Sequence, residues 1–337
     1  MSSWKGKHGP LLIAEIGGNH EGDFAYAKKL TELAIESDAD FIKFQLYTGD
    51  TLVSPVESEQ RNKHFKKFEL SPEQHIELAK MCINAGKKYM ASVWNPDFID
   101  WIDPYIPVYK IGSGDLTAYP VLRKFALLGK PMIISTGLAT MEEVIASVEF
   151  IQSVNSKYKS ADYLALLQCT SMYPIGFEDA NLEVMESFRK ATGLSVGYSD
   201  HTEGTKALEV AVAMGAEILE FHFTDTKEGK TFRDHKVSLT KQDVWSLIEQ
   251  IKTINLLKGS DKKVPVAIEI ENGHVISFRR AVYPSVDMEA GTVLSTENLV
   301  TLRPNHGIDA RDFDKLIGKK IKVGVKAFEK IEWDMVE

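Results

Sequence analysis

The sequence predicts an α/β protein, a (β/α)8 TIM barrel followed by a small, mostly-β module. Three observations carry that prediction. Eight short, nearly continuously apolar runs alternate with longer stretches of helical period, as in a parallel sheet covered on both faces. The eight units fill about 250 residues, the usual size of a closed barrel. Beyond them a charged stretch intervenes, and the pattern changes to short β-like pieces separated by Asp and Gly.

The strand-like runs are Leu11–Gly17, Asp40–Gln45, Lys88–Val93, Val108–Gly112, Met132–Gly137, Tyr163–Cys169, Leu194–Asp200 and Glu217–Phe223. Between them lie amphipathic stretches such as Phe24–Ser37, Pro72–Gly86, Met141–Val154 and Gly204–Gly215, and Lys241–Leu257 follows the last strand. Ser71-Pro72 with Glu73 and Gln74 reads as a helix start, and Gly86 and Gly215 as helix stops. A doubly wound open sheet is the structural rival, and it needs a strand-order switch that periodicity does not reveal. The barrel is assigned to residues 1–260, a polar linker to 261–276 and the small module to 277–337. In the module, Arg280–Pro284, Thr292–Leu294, Leu299–Arg303 and Lys320–Val323 read as β.

A chain of 337 residues exceeds a single ordinary core, which suits one large domain and one small one. Its 44% hydrophobic and 26% charged content are those of a soluble globular protein. No run of 18 apolar residues suggests a membrane span. The start MSSWKGKHGP lacks a signal-peptide core, and Cys82 and Cys169 have no metal-ligand spacing, so a reducing, cytoplasmic setting is expected. The net charge of -8 argues against a nucleic-acid surface but not against a small anionic substrate, which responds to the charge of its cleft.

In such a barrel the chemistry sits where the strands end. Strand by strand, those ends carry Glu15 with Gly17-Gly18-Asn19-His20; Lys43 and Gln45; Ser92; Lys110, Ser113 and Asp115; Ser135; Ser171 and Tyr173; Ser199 and His201; and His222. Two lysines with several hydroxyls suit phosphate and carboxylate. Two imidazoles on adjacent strands can hold a divalent ion that polarises an aldehyde. Glu15, Asp115 and Asp234 are candidates for binding a polyol or moving a proton.

Blander readings stand beside these. A lone strand lysine can snorkel from the core to the rim, and His222, inside Phe-His-Phe, could be a satisfied core histidine. His8, His64, His75, His274 and His306 read mostly as surface, and His64–Lys67 as a solvated loop or helix face. Rossmann, P-loop, nucleophile-elbow and HExxH patterns are absent.

The segments IAEIGGNHEGDFAYAKKL, ADFIKFQ, YKIGSGDLTAYPVL, PMIISTGLATMEEV, LLQCTSMYP, VGYSDHTEG and FRDHKVSL resemble, in order and spacing, the sialic acid (nonulosonic acid) synthases. The tail RRAVYPSVDMEAGTVLSTENLVTLRPNHGI is similar to that family's antifreeze-like SAF domain. The resemblance implies condensation of phosphoenolpyruvate with an N-acylated hexosamine aldehyde, giving a nine-carbon keto acid and phosphate. It implies His201 and His222 as ligands of manganese or magnesium, and Lys43, Ser92, Lys110, Ser113, Ser135, Ser171 and Ser199 as the phosphoenolpyruvate site. Glu15, Gln45, Asp115, Tyr173 and Asp234 would face the sugar, joined by Arg303 from the second chain of a domain-swapped homodimer. Ser171 stands where some synthases have asparagine. Val93-Trp94-Asn95 replaces a Thr-Pro-Phe-Asp-like stretch, and Thr224–Arg233 lacks a usual Gly-Pro. N-acetylmannosamine is the default acceptor, with precursors of legionaminic acid, pseudaminic acid or another surface polysaccharide open. A metal-dependent barrel isomerase or hydrolase would need neither paired lysines nor the tail, and a carbohydrate-binding protein on a retired barrel predicts missing ligands.

Overall fold

The computed structural model describes residues 4–337, and the chain divides into two units after Gly259. In the first, eight parallel strands pair in sequence order: β1 (Gly9–Glu15), β2 (Phe41–Leu46), β3 (Lys88–Val93), β4 (Tyr109–Ile111), β5 (Met132–Ser135), β6 (Leu164–Cys169), β7 (Ser195–Asp200) and β8 (Ile218–His222). β1 also pairs with β8, Leu11 opposite Ile218 and Glu15 opposite His222, which closes the sheet. The expected (β/α)8 barrel is borne out, and the open-sheet rival is excluded by that closure.

The period of two along each strand sorts the side chains into two cores. Leu12, Ala14, Ile42, Phe44, Tyr89, Ala91, Ile134, Leu166, Val196 and Phe221 point outward and pack under the helices. Leu11, Ile13, Phe41, Met90, Ile133, Ala165, Leu167 and Ile218 point inward, and Trp4 joins this inner core. Gly197 leaves room there, since a methyl group in its place would lie 2.7 Å from the Leu167 Cδ2 and 2.3 Å from the Ile218 carbonyl oxygen.

Long helices cover the outside: α1 (Phe24–Glu36), α2 (Pro72–Asn84), α3 (Tyr119–Leu128), α4 (Met141–Val154), α5 (Val184–Thr192), α6 (Lys206–Ala213) and α7 (Lys241–Lys258). The Ser71 signal is a true capping box, with Ser71 Oγ accepting from Gln74 N and Gln74 Oε1 accepting from Ser71 N. The crossover from β3 to β4 has no long helix. Three one-turn pieces, Pro96–Phe98, Ile99–Ile102 and Asp103–Tyr105, replace it. Pro104 lacks the N–H that a helix continuing through Ile99–Tyr105 needs.

One surface assignment is corrected. His75 is buried, because its face of α2 is also the face of Leu78, Ala79 and Cys82. Its Nδ1 lies 3.0 Å from the Tyr89 hydroxyl.

In the second unit β9 (Ala281–Pro284) and β10 (Leu299–Leu302) pair antiparallel, and Val282, Leu294, Leu299, Ile308, Ile321, Ile331 and Val336 form a separate core. The pieces expected at 292–294 and 320–323 are reduced to bridges, Val293 with Lys320 and Ile321 with Val336. The stretch read as a linker holds two short helices, Ala267–Glu271 and His274–Ser277. No helix of the described residues is long and apolar enough to cross a membrane.

Candidate active site

The inward parity that gives the barrel its apolar floor gives it a charged upper layer. Two residues beyond Ile13 comes Glu15; beyond Phe41, Lys43 and then Gln45; beyond Met90, Ser92; beyond Ile133, Ser135; beyond Ile218, Glu220 and then His222. Lys110 and Ser199 complete the ring from β4 and β7. All of these but Gln45 are buried. The 3.3–3.4 Å rise per strand residue places this layer one pleat repeat above the floor.

Glu220 sits at its centre and is the residue that inspection of strand ends overlooks. Its carboxylate lies 3.6 Å from Lys110 Nζ and 3.8 Å from Lys43 Nζ, and accepts a 3.0 Å hydrogen bond from Ser199 Oγ. Burial opposes its ionisation, but the two ammonium groups outweigh burial and hold it at about 2. The signal was present, because Glu220 shares the parity of His222. Lys43 also contacts Glu15 at 2.7 Å, and Gln45 Nε2 donates to the other Glu15 oxygen at 2.8 Å. Burial works against the Lys43 charge, and Glu15 with Glu220 raises it. Lys110 donates to Ser135 Oγ at 2.6 Å, and burial lowers it despite Glu220.

Beside the lysines is a small hydroxyl-lined corner. Gly137 N donates to Ser113 Oγ at 3.0 Å. A methyl group on Gly137 would fall 2.2 Å from Ser171 Oγ and 2.9 Å from Ser113 Oγ, so only glycine keeps the corner open. Two hydroxyls, one of them held by a backbone N–H, and an adjacent ammonium can form an anion cradle. Asp115, on the turn after β4, is only partly solvated. Burial raises its carboxyl to about 6, with Lys110 pulling the other way.

On the opposite side His201 and His222 face each other, ring centroids 5.3 Å apart. Tyr173 packs on His201 at 3.9 Å and edge-on to His222 at 5.4 Å, and Arg233 lies 4.6 Å over the Tyr173 ring. His201 Nδ1 donates to the Thr170 carbonyl at 2.6 Å, which leaves its other nitrogen for a ligand. His222 Nδ1 is buried with no hydrogen-bond partner, and the Asp234 carboxylate stands 4.0 Å away. Burial lowers both imidazoles and keeps them neutral, the form that binds metal. This donor set fits a divalent cation whose shell the protein leaves incomplete. Among the described residues no group of three His, Cys, Asp or Glu is arranged to hold a metal alone.

The structure therefore brings together Glu15, Lys43, Gln45, Ser92, Lys110, Ser113, Asp115, Ser135, Ser171, Tyr173, Ser199, His201, His222 and Asp234 at one barrel mouth. Arg303 belongs to the second unit, 5.3 Å over the Phe278 ring.

Residues 30–263 match the NeuB family and residues 279–337 the SAF domain. The N,N'-diacetyllegionaminic acid synthase of Legionella pneumophila is 33% identical over 340 aligned positions, covering 97% of this chain and 94% of that protein. The N-acetylneuraminate-9-phosphate synthase of Homo sapiens is 30% identical over 346 positions, covering 98% and 94%. The solved N-acetylneuraminic acid synthetase of Leptospira borgpetersenii, in complex with citrate, superposes with a TM-score of 0.72 at 28% identity. That match spans 79% of this chain and 90% of the other.

Proposed function

The chain belongs to the NeuB family, and on that premise we propose that it joins phosphoenolpyruvate to an N-acylated hexosamine aldehyde, with release of phosphate. One observation carries this reading: a buried pair of lysines around Glu220, beside a cradle of hydroxyls, faces two neutral imidazoles across one barrel mouth.

Lys43 and Lys110 supply the positive charge for the phosphate and carboxylate of phosphoenolpyruvate. Ser92, Ser113, Ser135, Ser171 and Ser199 line the remaining acceptor positions, with Ser113 Oγ held by the Gly137 N–H. The enol carbon then attacks the aldehyde carbon, a C–C bond forms, and the aldehyde oxygen takes up negative charge. Water adds to the former enol-ether carbon, and phosphate leaves with C–O cleavage. His201 and His222 would hold manganese or magnesium, which when bound polarises the aldehyde. Glu15, fixed between Gln45 and Lys43, and Asp234, opposite His222, are placed to orient the sugar hydroxyls and pass protons. Asp115, raised to about 6, can exchange a proton near neutral pH. Tyr173 walls the acceptor side.

The acceptor is read as N-acetylmannosamine or a diacetamido precursor of legionaminic or pseudaminic acid. The similarity of LRPNHGI to the family tail supports Arg303 as a sugar contact in the second chain of a domain-swapped homodimer. A cytoplasmic location fits a phosphoenolpyruvate-using enzyme. Phosphate release from phosphoenolpyruvate with manganese, across N-acylated hexosamines with and without a 6-phosphate, tests the proposal. Sugar-dependent release with a nine-carbon keto acid by mass supports it, and no release with any of them overturns it.

A further inference from the structure

Trp94 follows the last residue of β3 and is half-buried at the mouth. Its indole is held by two other rings. Tyr47 stacks on it at 5.2 Å and 26°, and Phe65 meets it edge-on at 6.2 Å and 90°. Tyr47 and Phe65 pack on each other at 5.1 Å and 87°. Three mutually packed rings give the indole one orientation.

In that orientation the indole nitrogen lies over the turn after β4, where a methyl group on Gly112 would stand 3.2 Å from Nε1. Among the described residues no hydrogen bond takes up the Nε1–H, and the nitrogen is not one of the buried orphaned atoms, so it stays open to a ligand. It is a fixed, unspent donor two positions beyond Ser92 and one before Asn95, beside the cradle of Ser113.

We propose that Trp94 is a specificity-determining residue, whose indole N–H donates to the amide carbonyl of the acceptor's N-acyl group while the ring wall packs its methyl. The inference rests on the synthase reading above and names the group by which the acceptor is chosen. A neutral amide suits this wall. The anionic groups of phosphoenolpyruvate are matched deeper, by the buried Lys43 and Lys110, and a carboxylate against three aromatic rings would lose hydration without a counter-charge. Phe65 packs edge-on against His64 at 5.6 Å, and His64 stacks on Phe232 at 6.0 Å, two residues before Asp234, which joins the wall to the acceptor side.

The test is Trp94→Phe, which keeps the ring and removes the donor, assayed with manganese by phosphate release. The acceptor KM is expected to rise roughly tenfold, the loss of one hydrogen bond. The KM for phosphoenolpyruvate is expected to hold, which also certifies the fold. N-acetylmannosamine and its N-trifluoroacetyl analogue, whose carbonyl accepts more weakly, sharpen the assignment. Wild type should prefer the acetyl sugar, and the variant should lose that preference. An unchanged acceptor KM, an equal rise in the phosphoenolpyruvate KM, or the same preference in both proteins overturns the inference and leaves the reaction standing. A wild-type protein that releases phosphate with no sugar overturns the synthase reading instead.

Discussion

The lower and upper layers of the barrel interior are built on the same strands, at the same inward parity, one pleat repeat apart, and they do opposite work. The lower layer is Leu11, Ile13, Phe41, Met90, Ile133 and Ile218; the upper is Glu15, Lys43, Ser92, Lys110, Ser135, Glu220 and His222. Burial of the first removes apolar surface from water and stabilises the fold. Burial of the second desolvates charges, which their mutual attraction only partly offsets. A layer that stabilised the fold by its charges would be hard to explain when apolar residues two positions away do it better. On the synthase reading the upper layer is kept for binding, and the comparison can be broken by variants that treat the layers alike.

Lys110→Met should have the largest effect. It keeps the volume and removes the charge, so phosphoenolpyruvate-dependent phosphate release should fall by roughly a thousandfold. Thermal melting should fall as well, because a buried pair loses one partner, but by less than in a core deletion, since Lys43 still faces Glu220. A melting loss as large as that of a core deletion would mean the charged layer is structural. Ile133→Ala, one repeat below Ser135, should show the reverse pattern. The cavity should cost about 2–5 kcal/mol in denaturant unfolding, with kcat/KM of the folded protein nearly unchanged.

Asp115 sharpens the comparison, because its cost can be switched by pH. Its folded value of about 6 lies above the ordinary 3.8, so the fold favours the protonated form. Between those values the folded state binds more protons, and stability falls as pH rises. Asp115→Asn should therefore melt higher than wild type at pH 7.5, by on the order of 2 kcal/mol, and lose that advantage near pH 4. It should also remove an inflection near pH 6 from the rate profile.

Much of this was legible in the sequence because β-strands obey a parity. Runs such as LLIAE and FIKFQ announce strands by their apolar continuity, and the polar residues that interrupt them fall on one face. Counting back two from His222 reaches Glu220, so the centre of the site was available to the rule but not to a list of strand ends. The break in the third crossover has a local signal too, in Pro104. His75 was not legible as buried from its residue type, and only the α2 register with Leu78 and Cys82 reveals it. In the second unit, single bridges such as Val293 with Lys320 join residues far apart in sequence, and no local period records such pairs.

His20 and His75 give the smallest effect and the clearest contrast with the lysines. All four side chains are buried, but the lysines have Glu15 and Glu220 beside them. His75 has a phenol, and His20 Nδ1 accepts from Gly22 N. Burial lowers His20 to about 4, against weaker pulls from Gly17 and Asp23, and His75 to about 3, with His20 adding to the shift. Both remain neutral in the folded protein where the unfolded chain, with histidines near 6.5, takes up protons. Their contribution to stability is thus present above about 6.5 and is lost as pH falls toward 4 and 3. From pH 7.5 to 5.5 each should cost about 1 kcal/mol. His75→Gln keeps a polar partner for Tyr89 and cannot titrate in this range. Its unfolding free energy should be below that of wild type at pH 7.5, and the gap should narrow by pH 5.5. A constant gap would mean His75 is charged in the fold, so that burial alone does not decide which of these four groups is neutral.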